Sequence, residues 1–243
     1  MRAFIYSFRG KPWNEECQAA YNGFKKLGVE CVLFSTNEEL ETHTQEDIVV
    51  AGILIMEHIF SQLKIKIGVY NYPKELEEYL HRKICTIKLS ELQKVKLPVF
   101  IKPVQEKIAQ GMIINSFDDL GEYNNLPPDT ELLCSDVLQI ISEWRAFIKY
   151  GKIIDIKHYS KDSNIKCDFD TIQKAVDLCH DMPASYSLDF CVTKDGKTCL
   201  VEMNDGFSIG CYGLDEEQYA MFLYARWAEL AGVPDPFKQI LPK

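Results

Sequence analysis

Nowhere does the 243-residue chain run 18 apolar residues together, so a membrane-spanning helix is not expected. Cys-x-x-Cys pairs are missing as well. The nine cysteines, at 17, 31, 85, 134, 167, 179, 191, 199 and 211, lack zinc-knuckle spacing, and MRAFIYSFRG is too short and polar for the apolar centre of a secretory leader. The expectation is a cytoplasmic protein with reduced thiols and no zinc. Positive charge is in deficit: 27 Lys and Arg stand against 36 Asp and Glu, for a formal net charge of −9. That argues against nucleic-acid and membrane-surface partners, which are held by a basic face. GxxxxGK[ST] and GxGxxG are both absent, which disfavours P-loop and dinucleotide-type phosphate cradles. Repeats and low-complexity tracts are absent too. What is present is core material, 47% hydrophobic and 12% aromatic, so disorder is not expected. Any anionic ligand must therefore meet a local cluster of cations.

The first third alternates strands with helices. RAFIYSF opens as a strand, and a helix follows that Asn14 caps, with Glu15 and Glu16 in its first turn and Cys17, Ala20, Tyr21, Phe24 and Leu27 on its inner face. VECVLF and DIVVAG read as strands, LIMEHIFSQL as a helix, IGVYN as a fourth strand and KELEEYLHRK as a last helix. This predicts a small parallel α/β domain over residues 1–90. A second unit, 91–137, reads as strand PVFIKP, loop VQEKIAQG, strand MIINS, helix FDDLGEYNN and strand ELLCSDV. The third, 138–243, holds two hairpins separated by the helix TIQKAVDLCHDM, then a final helix opening at Asp215 with Gln218 at capping-box spacing. The expected class is α/β (α+β).

The hairpins carry the chemistry. In SEWRAFIKYGKIIDIKHY a three-residue loop, Lys149 to Gly151, groups Trp144, Ala146, Ile148, Ile154 and Ile156 on one face and Glu143, Arg145, Asp155, Lys157 and Tyr159 on the other. In the second, Asp195-Gly196 supplies a two-residue type I′ turn between YSLDFCV and TCLVEMND. Its register sets Phe190 against Val201, Asp189 against Glu202 and Ser187 against Asn204. Leu188, Phe190, Val192, Cys199, Val201 and Met203 then form an apolar face, and Ser187, Asp189, Cys191, Leu200, Glu202 and Asn204 the opposite one. Two carboxylates that stand opposed, with β-carbons roughly 4.5–5.5 Å apart, destabilise a sheet unless positive charge lies between them. Asp189, Glu202 and Asn204 offer hard oxygen donors, suited to magnesium shared with a nucleotide's phosphates. A plain amphipathic hairpin with a solvated face accounts for the same residues without a ligand.

Cations for such a ligand are at hand. Lys102 lies in PVFIKP opposite Val99 and Ile101, and so points into a cleft if that pair is core. Lys107 sits in a loop closed by Gly111, suited to a flap whose amine and backbone N–H groups cover phosphates. Arg145 adds a planar donor fork, or serves as a structural partner of Glu143.

Taken in order, Phe100-Ile101-Lys102-Pro103, Lys107 to Gly111, Ser142-Glu143-Trp144-Arg145, Leu188-Asp189-Phe190 and the run from Leu200 to Leu214 (LVEMNDGFSIGCYGL) resemble the ATP-grasp superfamily. The likeness is to its clade named for one arginine and two lysines, which includes the eukaryotic assembly factor of translation initiation factor two, and it covers residues 98–231. The resemblance implies an ATP-grasp fold behind a pre-ATP-grasp domain. It implies that Lys102 and Lys107 contact ATP phosphates and that Arg145 faces the phosphate or acyl-phosphate. It assigns Asp189, Glu202 and Asn204 to Mg2+, and it gives the backbone of Ser135, Asp136 and Val137 to adenine, with Glu143 in the same nucleotide-binding set. Two departures stand out: Ser187 occupies a place where ligases of the superfamily carry an arginine, and the flap VQEKIAQG is short.

The activity implied is an ATP-dependent carboxylate–amine ligase acting on a carboxylate-bearing acceptor, small molecule, peptide or protein. An assembly factor that binds a partner without ligation and a phosphotransferase are the alternatives, since all three need the same ATP site. Lys102 and Arg145 are expected on cleft faces, where substitution weakens ATP use without unfolding the protein.

Overall fold

Ala3, Phe4 and Ile5 are wholly buried because β1 (Arg2–Phe8) is the middle of a parallel sheet, between β3 (Glu30–Phe34) and β4 (Ile48–Val50). The short β2 (Lys11–Pro12) runs antiparallel beside the end of β1. The structure is a computed structural model and describes residues 1–68, 70–105 and 108–240. Helix α1 (Glu15–Lys26) starts where expected: Asn14 Oδ1 accepts from the Cys17 N–H at 2.9 Å. After β4 comes α2 (Ile53–Gln62).

Helix α4 (Glu216–Ala231) ties the molecule together. The Asp215 side chain caps it through Glu217 and Gln218 N–H groups, and Gly232 ends it in the left-handed conformation, φ 68°. Gln218 to Ala228 are all buried, because the helix is covered on every side. The α1 face meets it so closely that a Cβ at Gly23 would stand 1.9 Å from the Glu216 carbonyl oxygen. Gly23→Ala is therefore expected to destabilise the protein by about 1–3 kcal/mol through overpacking, read as a lowered urea midpoint. An unchanged midpoint would contradict this helix crossing. From the other side, Ser185 Oγ donates to the Phe222 carbonyl at 2.7 Å, and the Arg226 fork clasps Asp205 at 2.6 Å through both oxygens.

The remaining strands form two antiparallel sheets. One has the order β5 (Ile84–Lys88), β8 (Glu131–Ser135), β6 (Val99–Pro103), β7 (Met112–Ile114), around a core that includes Leu92, Ile101, Tyr123 and Leu132. The other has the order β10 (Lys152–Lys161), β9 (Ile140–Lys149), β11 (Ser185–Thr193), β12 (Thr198–Asp205), packed on α3 (Phe169–Leu178) and α4. Among the described residues no helix is long and apolar enough to cross a membrane, and all nine cysteines are free thiols.

Both hairpin turns differ from expectation, and in opposite senses. The first has the two-residue loop: Lys149 pairs with Lys152, and Tyr150 (φ 49°) and Gly151 (φ 71°) both take the positive φ of a type I′ turn. A bulge then puts Ile154 opposite no partner, and it packs with the N-terminal core instead of with Trp144. The second has the longer loop: Val192 pairs with Thr198, the Thr193 N–H reaches the Lys197 carbonyl, and Gly196 alone of the turn is left-handed, φ 81°. Phe190 therefore faces Leu200 rather than Val201, and Leu200 belongs to the apolar core.

Further differences lie where periodicity is weak. The IGVYN segment forms no strand in its described residues. Asn71 lies along the free edge of β12, its carbonyl accepting from the Met203 N–H at 3.0 Å. KELEEYLHRK yields only a 3₁₀ turn at Lys74–Tyr79, FDDLGEYNN is 3₁₀ broken at Gly121, and β5 was not foreseen.

Candidate functional site

Strand order places the key groups in a row. β9 lies beside β11, which sets Arg145 against Asp189, and β11 lies beside β12, which sets Asp189 against Glu202 and Ser187 against Asn204. Arg145 Nε and Nη2 donate to the two Asp189 oxygens at 2.7 and 2.6 Å, with both side chains nearly sealed from solvent. The Asn204 amide nitrogen stands 3.2 Å from Asp189 Oδ2 and 3.4 Å from Glu202 Oε1. Lys102 arrives from the neighbouring sheet. Its ammonium donates to Glu202 Oε2 at 3.0 Å and to Asn71 Oδ1 at 2.8 Å, and lies 5.2 Å from the centre of the Tyr72 ring.

Each carboxylate thus has a cation of its own, so the positive charge expected beside the opposed Asp189 and Glu202 is supplied by Arg145 and Lys102, and the opposition alone does not call for a metal. The donor set still suits one. Asn204 places an amide hydrogen between the two carboxylates, so the three side chains converge on a point already favourable to positive charge, and a turned-over amide would present its oxygen there. Among the described residues no group of three or more His, Cys, Asp or Glu is gathered for a metal. Two carboxylates, an amide oxygen and phosphate oxygens from a substrate make the kind of mixed shell that magnesium takes.

Burial pushes the Asp189 carboxyl up, against the pull of Arg145. Burial also works against the Arg145 guanidinium, but Asp189 outweighs it and the arginine is held more firmly protonated. Tyr159 and Tyr212 stack on each other, centroids 4.9 Å apart, and the guanidinium carbon lies 5.7 and 4.9 Å from their rings. Burial raises both phenols, keeping them neutral. Among the described residues, Arg145 Nη1 has one hydrogen bond, at 3.4 Å to the Gly210 carbonyl, so this edge of the fork keeps donor capacity to spare.

A cleft of about 340 Å³ opens between the two antiparallel sheets. Phe100, Met112 and Ile113 line one side, Val201 and Glu202 the other, and Ser135, Asp136 and Val137 its end. Glu143 lies elsewhere, on the Arg145 face of β9, where the Tyr159 hydroxyl reaches it at 3.4 Å. Lys107 falls outside the described residues. Sequence reasoning missed Asn71, Tyr72 and Arg82. Tyr72 and Arg82 line the cleft, and Arg82 donates to the Leu200 and Val201 carbonyls at 2.7 and 2.9 Å, holding the bulge just before Glu202. No residue pattern flagged these positions: Asn71 closed the expected strand IGVYN, Tyr72 lay between elements, and Arg82 fell in the expected helix KELEEYLHRK.

The family model for the ATP-grasp domain, R2K clade family 2, matches residues 79–222, more than half of the chain. The chain belongs to that family. No curated protein matches this R2K-clade ATP-grasp protein in sequence. Among solved structures it is similar to the D-alanine–D-alanine ligase of Bacillus anthracis complexed with ATP, at TM-score 0.56 and 15% identity, covering 94% of this chain and 95% of that one. It is similar also to D-cycloserine synthetase DcsG, at TM-score 0.57 and 10% identity over 93% and 99%. A third likeness is the ATP-grasp ligase PsnB complexed with a minimal precursor, at TM-score 0.52 and 12% identity over 93% and 99%. At these identities the likeness is one of fold, and the fold is ATP-grasp.

Proposed function

We propose that this R2K-clade ATP-grasp protein is an ATP-dependent carboxylate–amine ligase. The observation that carries the reading is the meeting of Lys102, from one sheet, with Glu202, Asn204, Asp189 and Arg145, from another, beside a cleft of about 340 Å³ whose walls are mainly apolar. Cations for phosphates and hard oxygens for their counter-ion border an adenine-sized slot. In the reaction, a substrate carboxylate oxygen bonds to the γ-phosphorus as ADP leaves with the electron pair. An amine nitrogen then bonds to the acyl carbon, the carbon–oxygen bond to phosphate breaks, and the departing phosphate takes the amine's proton.

The work assigned to the chain is positioning and charge stabilisation. Asp189, Glu202 and Asn204 would hold Mg2+, which supplies neutralising charge to phosphate oxygens when bound. Lys102 offsets charge on the transferred group, and Arg145 Nη1 orients an acyl-phosphate oxygen. Tyr159 and Tyr212 keep water from the guanidinium, which strengthens every polar contact it makes. The acceptor carboxylate is borne by a small molecule or by a peptide, and PsnB, captured with a precursor, supports the second.

Incubation with magnesium, ATP, hydroxylamine and pooled carboxylates is expected to yield hydroxamates and ADP, detected by mass spectrometry. ADP release should stay slow until carboxylate and amine are both present. ATP-dependent capture of one unmodified protein from lysate, with no hydroxamate formed, would replace the ligase by an assembly factor.

A further inference from the structure

Asn71 lies outside residues 79–222, the stretch that matches the family model, yet its side chain reaches into the nucleotide site. An ammonium only donates, so the 2.8 Å contact with Lys102 Nζ requires the amide to present its oxygen, Oδ1. The backbone brings it there. The Asn71 carbonyl accepts from the Met203 N–H at 3.0 Å, which fastens Asn71 to β12 one residue past Glu202. Its neighbours secure the segment further. Tyr70 and Tyr72 pack against the apolar cluster of Leu188, Phe190 and Met203, and the Tyr70 ring lies 5.9 Å from the guanidinium carbon of Arg226, which clasps Asp205 at the end of β12.

Lys102 has use for an anchor of this kind. Its carboxylate partner, Glu202, also lies 3.4 Å from the Asn204 amide and is shared with the side of the site that faces Asp189. An ammonium tied to Glu202 alone would follow that carboxylate, and its charge would be offset for as long as the two stayed paired. Asn71 Oδ1 holds the same ammonium with a neutral acceptor. The Tyr72 ring, 5.2 Å from Nζ, adds an aromatic face that likewise attracts a cation without cancelling its charge. Together they fix the position of the lysine and leave its charge available to a phosphate oxygen. A carboxylate at position 71 would hold the ammonium as well and spoil that second property.

We propose that Asn71 is a positioning residue for nucleotide phosphates: its amide oxygen directs the Lys102 ammonium into the cleft and keeps it there when Glu202 turns toward Asp189 and Asn204. The meeting of Lys102 with phosphates rests on the ATP-dependent reading above, and Asn71 acts only through that lysine. The test is titration of ADP and of adenosine, in magnesium, into wild type, Asn71→Ala, Asn71→Asp, Lys102→Met and the double variant Asn71→Ala with Lys102→Met. Asn71→Ala is expected to weaken ADP about tenfold, the scale of a hydrogen bond to a charged group, and to leave adenosine within about twofold, since adenosine carries no phosphate for Lys102 to meet. Asn71→Asp keeps the shape and the acceptor but offsets the charge. It should weaken ADP at least as much and again spare adenosine, a pattern that unseating of the segment does not produce. In the Lys102→Met background, Asn71→Ala should cost less than about twofold further, because the lysine through which it acts is gone. Equal losses for ADP and adenosine, wild-type ADP affinity in either Asn71 variant, or the full loss persisting without Lys102 overturns the proposal. A wild type that binds no ADP overturns it together with the nucleotide site. A failed hydroxamate test with the coupling of Asn71 to Lys102 intact removes only the ligase and supports this role.

Discussion

Arg145→Met is expected to destabilise the protein by about 3–5 kcal/mol, because it strands a buried carboxylate without its counter-charge. Asp189 is 2% exposed, and both of its oxygens are occupied by the arginine. This is not the mild, purely functional phenotype expected of an arginine on an open cleft face. The defect should depend on pH. Burial already raises the folded-state carboxyl above its unfolded value of 3.8, and losing Arg145 raises it further. A folded state that holds the extra proton is favoured below that raised pKa and loses the advantage as pH rises through it. The variant's stability deficit should therefore shrink as pH falls from neutral toward the unfolded carboxyl range. The double variant Arg145→Met with Asp189→Leu should recover most of the stability, since an apolar pair can replace a buried ion pair, without recovering nucleotide turnover. Urea unfolding at several pH values checks all three points. A single variant as stable as wild type at every pH would mean that the pair is not buried as described.

The opposition of Asp189 and Glu202 was legible in the sequence, although the turn beyond it was not. A three-residue loop shifts the register by one residue, and the bulge at Val201 shifts it back, so the two differences cancel before Glu202. The bulge left no mark in the sequence, because it depends on Arg82, 118 residues from Leu200, drawing two successive carbonyls toward itself. Lys102 was legible because Val99 and Ile101 alternate with it as a strand should, and both are buried. The Arg145–Asp189 pair was not. It exists because β9 and β11 are neighbours, a pairing made across β10 and α3 that no local periodicity encodes. Asn71 and Tyr72 were hidden for a different reason. They act from irregular chain, where neither the period of a helix nor that of a strand singles out a face.

Glu202→Gln is expected to uncouple nucleotide binding from magnesium and to lower turnover by about a hundredfold, the upper range for disturbing groups around a bound metal. Glu202 accepts from Lys102 at 3.0 Å and lies 3.4 Å from the Asn204 amide, so it is shared between the cation side of the site and the proposed metal side. Glutamine keeps the shape and removes the charge. Lys102 then presents more of its positive field to a phosphate, so ADP affinity in EDTA should hold or rise. In magnesium the same variant offers Asp189 as its only carboxylate, and that group is already clasped by Arg145. Affinity there should fall, and the ratio of affinity in magnesium to affinity in EDTA should collapse toward one. Folding should suffer little, because the Glu202 side chain is 32% exposed and its pairing with Lys102 is partly screened by water. Calorimetric titration of ADP into both proteins, each with magnesium and with EDTA, gives the four affinities needed. A variant that keeps the wild-type ratio would remove Glu202 from the metal shell and leave it only the role of holding Lys102 in place.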